Sequence, residues 1–237
     1  MAPPYHGGWT TSRLAAYAGI DETAMRKRLQ QIRDKLRREI EFAEQILPEI
    51  LDLSAALKSP AGSTMYITPT ELHRVDADRI LRYDLTLPLL MTVRYEGKPV
   101  RIWSTGKAYR LGQIDATHLE ALHQAEVYWL DARTTVDPWT ITGKVMQSIN
   151  HILPGRSVRI APTDYPMCTQ AWELSVDDDG YWLEVVAWGV FQDAMVAHVG
   201  ANPATHTSVG IGYGLERLAM ARYGIDDIRK IDVARVA

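Results

Sequence analysis

The sequence predicts an α+β protein in which an antiparallel β-sheet is flanked by helices. Five short segments have the composition of strands, and they are Val100–Ser104, Ala125–Leu130, Val158–Ala161, Trp172–Val176 and Trp182–Trp188. Few helical patterns separate them, which favours antiparallel pairing over alternating β-α-β units. Two amphipathic helical patterns, Pro138–Leu153 and Gly214–Tyr223, supply the flanking helices.

The composition limits the classes of protein. The 237 residues are 46% hydrophobic and 23% charged, with a formal net charge of −3, as in ordinary globular chains. No apolar stretch approaches the ~20 residues of a membrane helix, and the first residues lack a secretory signal pattern. The single cysteine, Cys168, excludes an intramolecular disulfide framework. We therefore expect a cytoplasmic protein with no membrane contact.

The N-terminal part has its own helical pattern. Apolar residues recur at three- and four-residue steps over Thr23–Leu57, and Pro48 is expected to kink or split that helix. Its other face is basic over Arg26–Arg38, which fits either a solvated face or a phosphate-facing surface. The preceding segment, Ser12–Met25, fits a structural helical hairpin or, as the alternative, a DNA-reading helix-turn-helix.

Two glutamates flank a predicted hairpin turn at residues 177–180, Asp-Asp-Asp-Gly. A loop centred on residues 178–179 would place Glu173 directly opposite Glu184, whereas a two-residue Asp-Gly turn would make them diagonal neighbours. Both arrangements leave the two on one face, because the strand period is two. Facing carboxylates repel, so either a divalent cation carrying phosphates lies between them or both point into solvent.

A glycine-rich segment, Gly210–Arg217, leads into the last helical pattern. Its three glycines permit close approach of the backbone to a ligand. The helix N-terminus favours an anion, and Arg217 can add a charge-assisted contact to phosphate. The glycine spacing differs from that of dinucleotide-binding folds.

A third cluster, residues 109–126, has the pattern of a strand, a polar loop and a second strand. Arg110 leaves the first strand and His118 lies in the loop. Gln124 and Glu126 share one face of the second strand. An arginine and a histidine near one loop suit a polyphosphate, although His118 also fits an ordinary surface histidine.

Along the chain, the order is residues 109–126, then the paired glutamates, then the glycine-rich segment with its arginine. In that order the clusters resemble the class II aminoacyl-tRNA synthetase core, and most of all the catalytic domain of the phenylalanyl-tRNA synthetase α subunit. Three segments resemble motif 2 of that family, and they are residues 106–110 (GKAYR), 115–118 (DATH) and 123–126 (HQAE). Motif 3 resembles residues 212–220 (GYGLERLAM). The similarity covers roughly residues 66–231.

The resemblance also implies an organisation. By position, the helix before Leu57 would be motif 1, which forms dimers in the family. We therefore expect an N-terminal helical extension at residues 1–59, a catalytic core at residues 60–237, and a homodimer. The family implies a six-stranded antiparallel sheet that binds ATP and Mg²⁺.

The roles of individual residues follow from the matched positions. The expected ATP contacts are Arg110, His118, Glu173, Glu184, Gly214 and Arg217. Of these, Arg110 would bind the α-phosphate and Arg217 would hold the γ-phosphate against the adenine, so these two are the expected catalytic residues. Glu173 and Glu184 are the expected Mg²⁺ ligands.

The resemblance places the acid substrate beside motif 2. The expected substrate contacts are Tyr66, Gln124, Glu126, Tyr165, Met167, Trp188 and Gly210. Glu126 would hold the ammonium group of an amino acid.

Several positions depart from the family pattern. The acidic residue two positions after the motif 2 arginine is Gly112 here, and the family's Thr-Ser-Pro segment is Thr86-Leu87-Pro88, without the serine hydroxyl. The Phe-Pro-Phe pocket segment is Tyr165-Pro166-Met167. We expect Trp188 to fill one wall of the pocket and Gly210 to open another, so phenylalanine is not assumed as the substrate.

The sequence therefore predicts an AMP-forming ligase that adenylates an amino acid or related carboxylic acid in a biosynthetic role. The acceptor of the acyl group would be a small molecule, a peptide or a carrier protein, because the chain has little room for a tRNA-recognition domain. The alternatives are tRNA aminoacylation by a truncated phenylalanyl-tRNA synthetase-like enzyme and a non-catalytic regulatory paralogue that senses an amino acid.

Overall fold

A computed structural model describes residues 22–39, 42–63, 71–178 and 180–231. Residues 12–21, which carry most of the predicted helical hairpin, lie outside these ranges, as does Tyr66. Within the described ranges, no helix combines the length and the apolarity needed to cross a membrane.

Helices flank both faces of a central sheet. They are α1 (Glu22–Glu39), α2 (Leu53–Lys58), α3 (Pro60–Ser63), α4 (Thr86–Thr92), α5 (Pro138–Ile152), α6 (Asp193–His198) and α7 (Leu215–Tyr223), followed by a 3₁₀ turn at Ile228–Lys230. Helix α5 begins at Pro138, and the Asp137 side chain caps it by accepting the backbone N–H groups of Trp139 and Thr140. Helix α7 ends at Gly224, whose φ of 63° suits glycine at that position.

The nine described strands form a seven-stranded sheet and a small two-stranded one. They are β1 (Ala43–Glu44), β2 (Ile50–Asp52), β3 (Arg79–Leu81), β4 (Val100–Tyr109), β5 (Ala121–Ala132), β6 (Val158–Thr163), β7 (Cys168–Asp178), β8 (Tyr181–Phe191) and β9 (His206–Gly214). The large sheet has the order β1-β4-β5-β9-β8-β7-β6, and β2 pairs with β3. Six of its strands are antiparallel, as predicted, and β1 adds a parallel edge to β4.

The long helix predicted over Thr23–Leu57 is wrong over residues 42–52, which lie between helices α1 and α2 and contain the strands β1 and β2. The chain after α1 pairs with the sheet instead, since Ala43 lies beside Ile102 and the Gln45 N–H donates to the Trp103 carbonyl at 2.8 Å. Here the hydrogen bonds to the sheet determine the conformation, although the apolar residues have helical spacing. Such tertiary contacts are not visible in the local sequence pattern.

Two hydrophobic cores lie on opposite faces of the large sheet. One contains Ile32 and Leu36 of α1 together with buried residues of α5 and α7. The other contains Leu89 and Leu90 of α4 with residues of β2, β3 and α6. Successive side chains of a strand point to opposite faces of the sheet, so neighbouring strand residues such as Ile102 and Trp103 belong to different cores.

The β7–β8 hairpin has the two-residue turn that the sequence allowed as one alternative, since Asp178 pairs with Tyr181. Gly180, in that turn, has a φ of 89°. A bulge then interrupts the register, because Ser175 pairs with Glu184 while Leu174 pairs with Val186. The extra residue reverses the alternation of β8 from that point onward.

Candidate functional site

A cavity of about 580 Å³ lies on the sheet face opposite α1, α5 and α7. Small residues form its floor, because Ala187 and Gly189 of β8 lie beside Gly212 and Gly210 of β9. A Cβ atom at Gly212 would lie only 3.2 Å from Glu126 Oε2, so glycine at this position leaves room for a buried carboxyl group.

Arg217, in the first turn of α7, is held in the cavity by three neighbours. Its Nη1 donates to Glu184 Oε2 at 2.8 Å and its Nε donates to the Thr117 carbonyl at 3.3 Å. Its Nη2 lies 3.3 Å from His118 Nε2. Gly214 lies directly before that helix and also lines the cavity. The motif 3 arginine and the motif 2 loop, predicted from separate patterns, therefore meet.

Asp115 orients the histidine of this group. His118 Nδ1 lies 2.9 Å from Asp115 Oδ1. A hydrogen bond from the Thr117 backbone N–H, reinforced by one from His118, lowers the pKa of Asp115 to about 2. The carboxylate therefore stays charged and fixes the His118 ring beside Arg217.

Arg110 follows β4 directly and is stacked on a tyrosine. Its guanidinium carbon lies 4.5 Å from the centre of the Tyr83 ring, and its Nε donates to the Tyr83 carbonyl at 3.2 Å. Both side chains line the cavity. The ring thus holds a second guanidinium in the site, an arrangement suited to phosphate.

The acidic part of the cavity contains Glu126 and Asp84. The Thr86 hydroxyl donates to Glu126 Oε1 at 2.8 Å. Burial, with the nearby Asp84 as a further cause, raises the pKa of Glu126 to about 8, and burial also raises the pKa of Asp84. Across the described ranges, no ion pair to either carboxyl group is present.

A neighbouring acceptor adds to this acidic part. Gln124 lines the cavity, and its buried Oε1 has no hydrogen-bond partner among the residues that the structure describes. Two buried carboxyl groups and an unsatisfied amide oxygen together suit a ligand that brings donors or positive charge.

Asp84 and Thr86 are the functional residues that sequence reasoning missed. They lie at the start of α4, where Asp84 Oδ1 accepts the Leu87 N–H at 2.9 Å. The signal was an acidic residue at a helix N-terminus. The Thr86 hydroxyl is present in the cavity, and the serine hydroxyl of the family segment is absent because that position is Leu87.

The remaining wall is largely apolar and comes from the loop before β7 and the end of β8. Tyr165 and Met167, which the sequence placed in the substrate pocket, line this wall together with Cys168 and Phe191. Burial raises the pKa of the Cys168 thiol to about 12, so the thiol stays neutral. The hydroxyl group of Tyr165 donates a hydrogen bond to Glu173 Oε1 at 2.8 Å.

The two expected wall residues, Trp188 and Gly210, both line the cavity, in surroundings that the sequence did not indicate. A Cβ at Gly210 would lie 2.7 Å from Phe191 Cζ, so Phe191 already occupies the space that Gly210 was expected to open. Trp188 borders the cavity, but it pairs with Trp172 and Ile211 and its indole stacks on Trp172 at 6.2 Å in the core beneath the sheet. The bulge at Glu184 causes this, because it moves the residue four positions later to the opposite face.

The two glutamates expected to bind Mg²⁺ have different surroundings. Glu184 lines the cavity beside Arg217, whereas Glu173 does not line it. No group of three or more histidine, cysteine or carboxylate side chains among the described residues is arranged to hold a metal alone. Glu184 still fits Mg²⁺ that arrives with phosphates, because such ions need only one or two protein carboxylates.

Comparisons with known proteins place the chain among synthetase cores. The model of the family described as the tRNA synthetases class II core domain (F) matches residues 19–235. A phenylalanine–tRNA ligase α subunit of Prochlorococcus marinus (strain NATL2A) is 35% identical over 133 residues, which are 56% of this chain and 39% of that protein. The same subunit of Thermosynechococcus vestitus is 29% identical over 175 residues, 74% of this chain and 51% of that protein.

The chain thus spans about half or less of the length of these curated relatives. The crystal structure of pyrrolysyl-tRNA synthetase from Desulfitobacterium hafniense aligns with a TM-score of 0.68, covering 98% of this chain and 88% of that one. At 20% identity, that likeness bears on the fold alone, and it confirms the predicted fold class.

Proposed function

This chain belongs to the family of class II tRNA synthetase core domains, and from that membership we propose that it is an AMP-forming ligase. Its reaction is the activation of an amino acid or related carboxylic acid with ATP. One observation carries the proposal: a single cavity joins a cationic part, with Arg110 and Arg217, to an acidic part, with Glu126.

In the activation step, a carboxylate oxygen of the acid attacks the α-phosphorus of ATP, and the bond to the pyrophosphate leaving group breaks. Arg110 binds the α-phosphate, and Arg217 binds the γ-phosphate with His118 beside it. Mg²⁺ held with ATP near Glu184 would supply further neutralisation of phosphate charge. Positioning and charge neutralisation account for the catalysis, and no side chain forms a covalent bond to substrate.

The acidic part of the cavity orients the acid. Glu126 and Gln124 bind its ammonium group, and Asp84 adds a second carboxyl group nearby. An ammonium group between them would favour the charged form of Glu126, because it supplies a cation that this buried part of the cavity lacks. An amino acid therefore fits this part of the cavity better than an acid without an amine.

Substrate-dependent exchange of pyrophosphate into ATP, measured over a panel of amino acids and related acids, tests the activation step. We expect exchange with at least one acid, and a loss of about a hundredfold or more in Arg110→Ala and Arg217→Ala. Arg79→Ala is the matched control, because Arg79 is an exposed arginine of β3 paired with Asp76. Absence of both exchange and ATP binding would contradict the proposal, and acid binding without exchange would indicate a non-catalytic sensor.

We propose that the acyl acceptor is a small molecule, a peptide or a carrier protein. The wall with Tyr165 and Met167, where the resemblance places two phenylalanines, supports an acid other than phenylalanine. The second candidate is tRNA, which is favoured by the relatives' activity and by the exposed cations of α1, including Arg26, Lys27 and Arg38. Aminoacylation of total tRNA, with RNA binding that weakens as salt rises, would favour tRNA over the other acceptors.

We also propose that two copies of the chain associate. Ile46 and Ile50 are 95% and 46% exposed, and they lie in the segment that leads from the edge strand β1 into β2, after the helix in the motif 1 position. Exposed aliphatic side chains grouped at a sheet edge are a common feature of protein interfaces.

A further inference from the structure

Glu173 lies at the end of a row of residues that crosses the cavity floor. Glu126 of β5 pairs with Gly212 of β9, Gly212 pairs with Ala187 of β8, and Ala187 pairs with Glu173 of β7. At the usual strand spacing, the backbones of Glu126 and Glu173 are roughly 14 Å apart. The two residues between them are small, so a trough runs from the buried carboxyl group of Glu126 towards β7.

Tyr165 covers the far end of this trough. Its loop precedes β7, and the loop is fixed by hydrogen bonds from Gln192 to the carbonyl groups of Pro166, at 2.7 Å, and Met167, at 3.0 Å. The hydroxyl group of Tyr165 donates to Glu173 Oε1 at 2.8 Å. Tyr165 lines the cavity and Glu173 does not, so the hydrogen bond ties a residue of the cavity wall to one outside it.

We propose that Glu173 is a positioning residue for the acid substrate rather than a metal ligand: it holds the Tyr165 ring at the end of the trough, and the ring limits the side chain of the acid. This inference rests on the proposed function, in which the ammonium group binds at Glu126. The side chain of the acid then extends over Gly212 and Ala187 until it meets the ring.

The chemistry of this end selects an uncharged, apolar side chain. The Tyr165 hydroxyl is committed to Glu173, so its ring is what the ligand meets. Met167, Phe191 and the neutral Cys168 complete the wall. Because these side chains carry no charge, burying a charged side chain directly against them would be costly.

Three variants separate positioning from metal binding. Tyr165→Phe removes the hydroxyl, Glu173→Leu removes the acceptor, and Glu173→Gln removes the charge but retains an acceptor oxygen. With the best acid of the panel, we expect the first two to raise the KM for the acid about tenfold and to admit longer side chains. Glu173→Gln should stay within about twofold of the parent, since its amide oxygen still accepts the hydroxyl.

The ATP side of the reaction provides the contrast. In all three variants, the KM for ATP and the Mg²⁺ concentration giving half-maximal exchange should stay unchanged, whereas Glu184→Gln should raise both. The double variant Tyr165→Phe/Glu173→Leu should be no worse than either single one, because both changes break one contact. If Glu173→Gln raises the Mg²⁺ requirement as Glu184→Gln does, Glu173 is a metal ligand and the proposal is overturned.

Crystal structures of Glu173→Leu and Glu173→Gln test the same contact without any substrate. Tyr165 should leave its position in the leucine variant and keep it in the glutamine variant. An unmoved ring in Glu173→Leu overturns the proposal whatever the activity. Lack of exchange with every acid would instead count against the proposed function, and the crystal structures would still decide how Tyr165 is held.

Discussion

The carboxyl group of Glu126 is unusual because it is buried, 4% exposed, with a hydroxyl group as its hydrogen-bond donor. Burial raises its pKa from 4.5 to about 8. A group with a raised pKa stabilises the folded state while it is protonated, and it loses that contribution as pH rises from its unfolded pKa to its folded one.

We therefore predict that the free energy of unfolding falls more steeply between about pH 5 and about pH 8.5 in the parent than in Glu126→Gln. The glutamine keeps an acceptor for Thr86 but does not titrate. Urea unfolding followed by circular dichroism across this pH range measures the difference. Glu96→Gln, at an exposed position, is the control and should follow the parent. Parallel curves for the parent and Glu126→Gln would contradict the raised pKa.

Gly106 makes room for a buried arginine. Arg82 is 5% exposed, and it donates through Nε to the Lys107 carbonyl at 2.5 Å and through Nη1 to the Leu47 carbonyl at 2.8 Å. A Cβ at Gly106 would overlap its Nη2. Two other nitrogens of the guanidinium are already tied to backbone, so the side chain cannot swing away at low cost.

We predict that Gly106→Ala lowers the free energy of unfolding by about 1–3 kcal/mol, as overpacking does elsewhere. Gly143→Ala is the matched control with the opposite sign. Gly143 lies inside α5 with open space around it, so alanine there should stabilise by about 0.5–1 kcal/mol. Chemical denaturation of both variants measures these changes, and an equal effect of the two would refute the close fit at Arg82.

At the scale of secondary-structure elements, α1 is part of the main core. Ile32 and Leu36 are fully buried in the cluster that also contains residues of α5 and α7. Leu36→Ala should therefore lower the free energy of unfolding by about 2–5 kcal/mol, with a single transition that includes the sheet. Leu57→Ala, at a position 56% exposed in α2, should change it little. A separate early transition in Leu36→Ala would show that α1 folds independently.

Sequence patterns predicted the elements with clear periodicity, such as β4, β5, β8 and α5. They missed β1, because a two-residue strand that pairs in parallel at an edge has no local pattern. They extended the N-terminal helix for the same reason, since the apolar spacing continues through residues 43–47 although Ala43 and Glu44 pair with β4.

The residues of the candidate site could be predicted where a sequence motif contains them. The prediction failed where the orientation of a side chain depends on the geometry of the sheet. Arg110, His118 and Arg217 came from motif patterns, and the structure brings all of them to one cavity. The orientation of Trp188 depends on a bulge that no composition rule reveals. Asp84 lies in a segment whose helix is short, so nothing in the sequence separated it from an ordinary capping residue.

At the scale of the whole molecule, one sheet divides the chain into a packed face and a ligand-binding face. The first is covered by α1, α5 and α7, and the second holds the cavity and the smaller core. The segment that leads from the edge strand β1 into β2 leaves Ile46 and Ile50 exposed. Such exposure is costly in an isolated chain and is removed when a second copy covers it.

We predict that the chain is a homodimer and that Ile46→Asp combined with Ile50→Asp makes it monomeric without unfolding it. In a dimer, the two introduced carboxylates would be buried at the contact and would oppose association. In the monomer they would be exposed to solvent, so the fold should be retained. Sedimentation velocity gives the mass, and circular dichroism verifies the fold. Trp139→Ser is the control, because Trp139 is 85% exposed at the start of α5, and this variant should stay dimeric. A monomeric parent chain would contradict the motif 1 assignment of α1, whereas a dimeric Ile46→Asp/Ile50→Asp variant would move the interface to another surface.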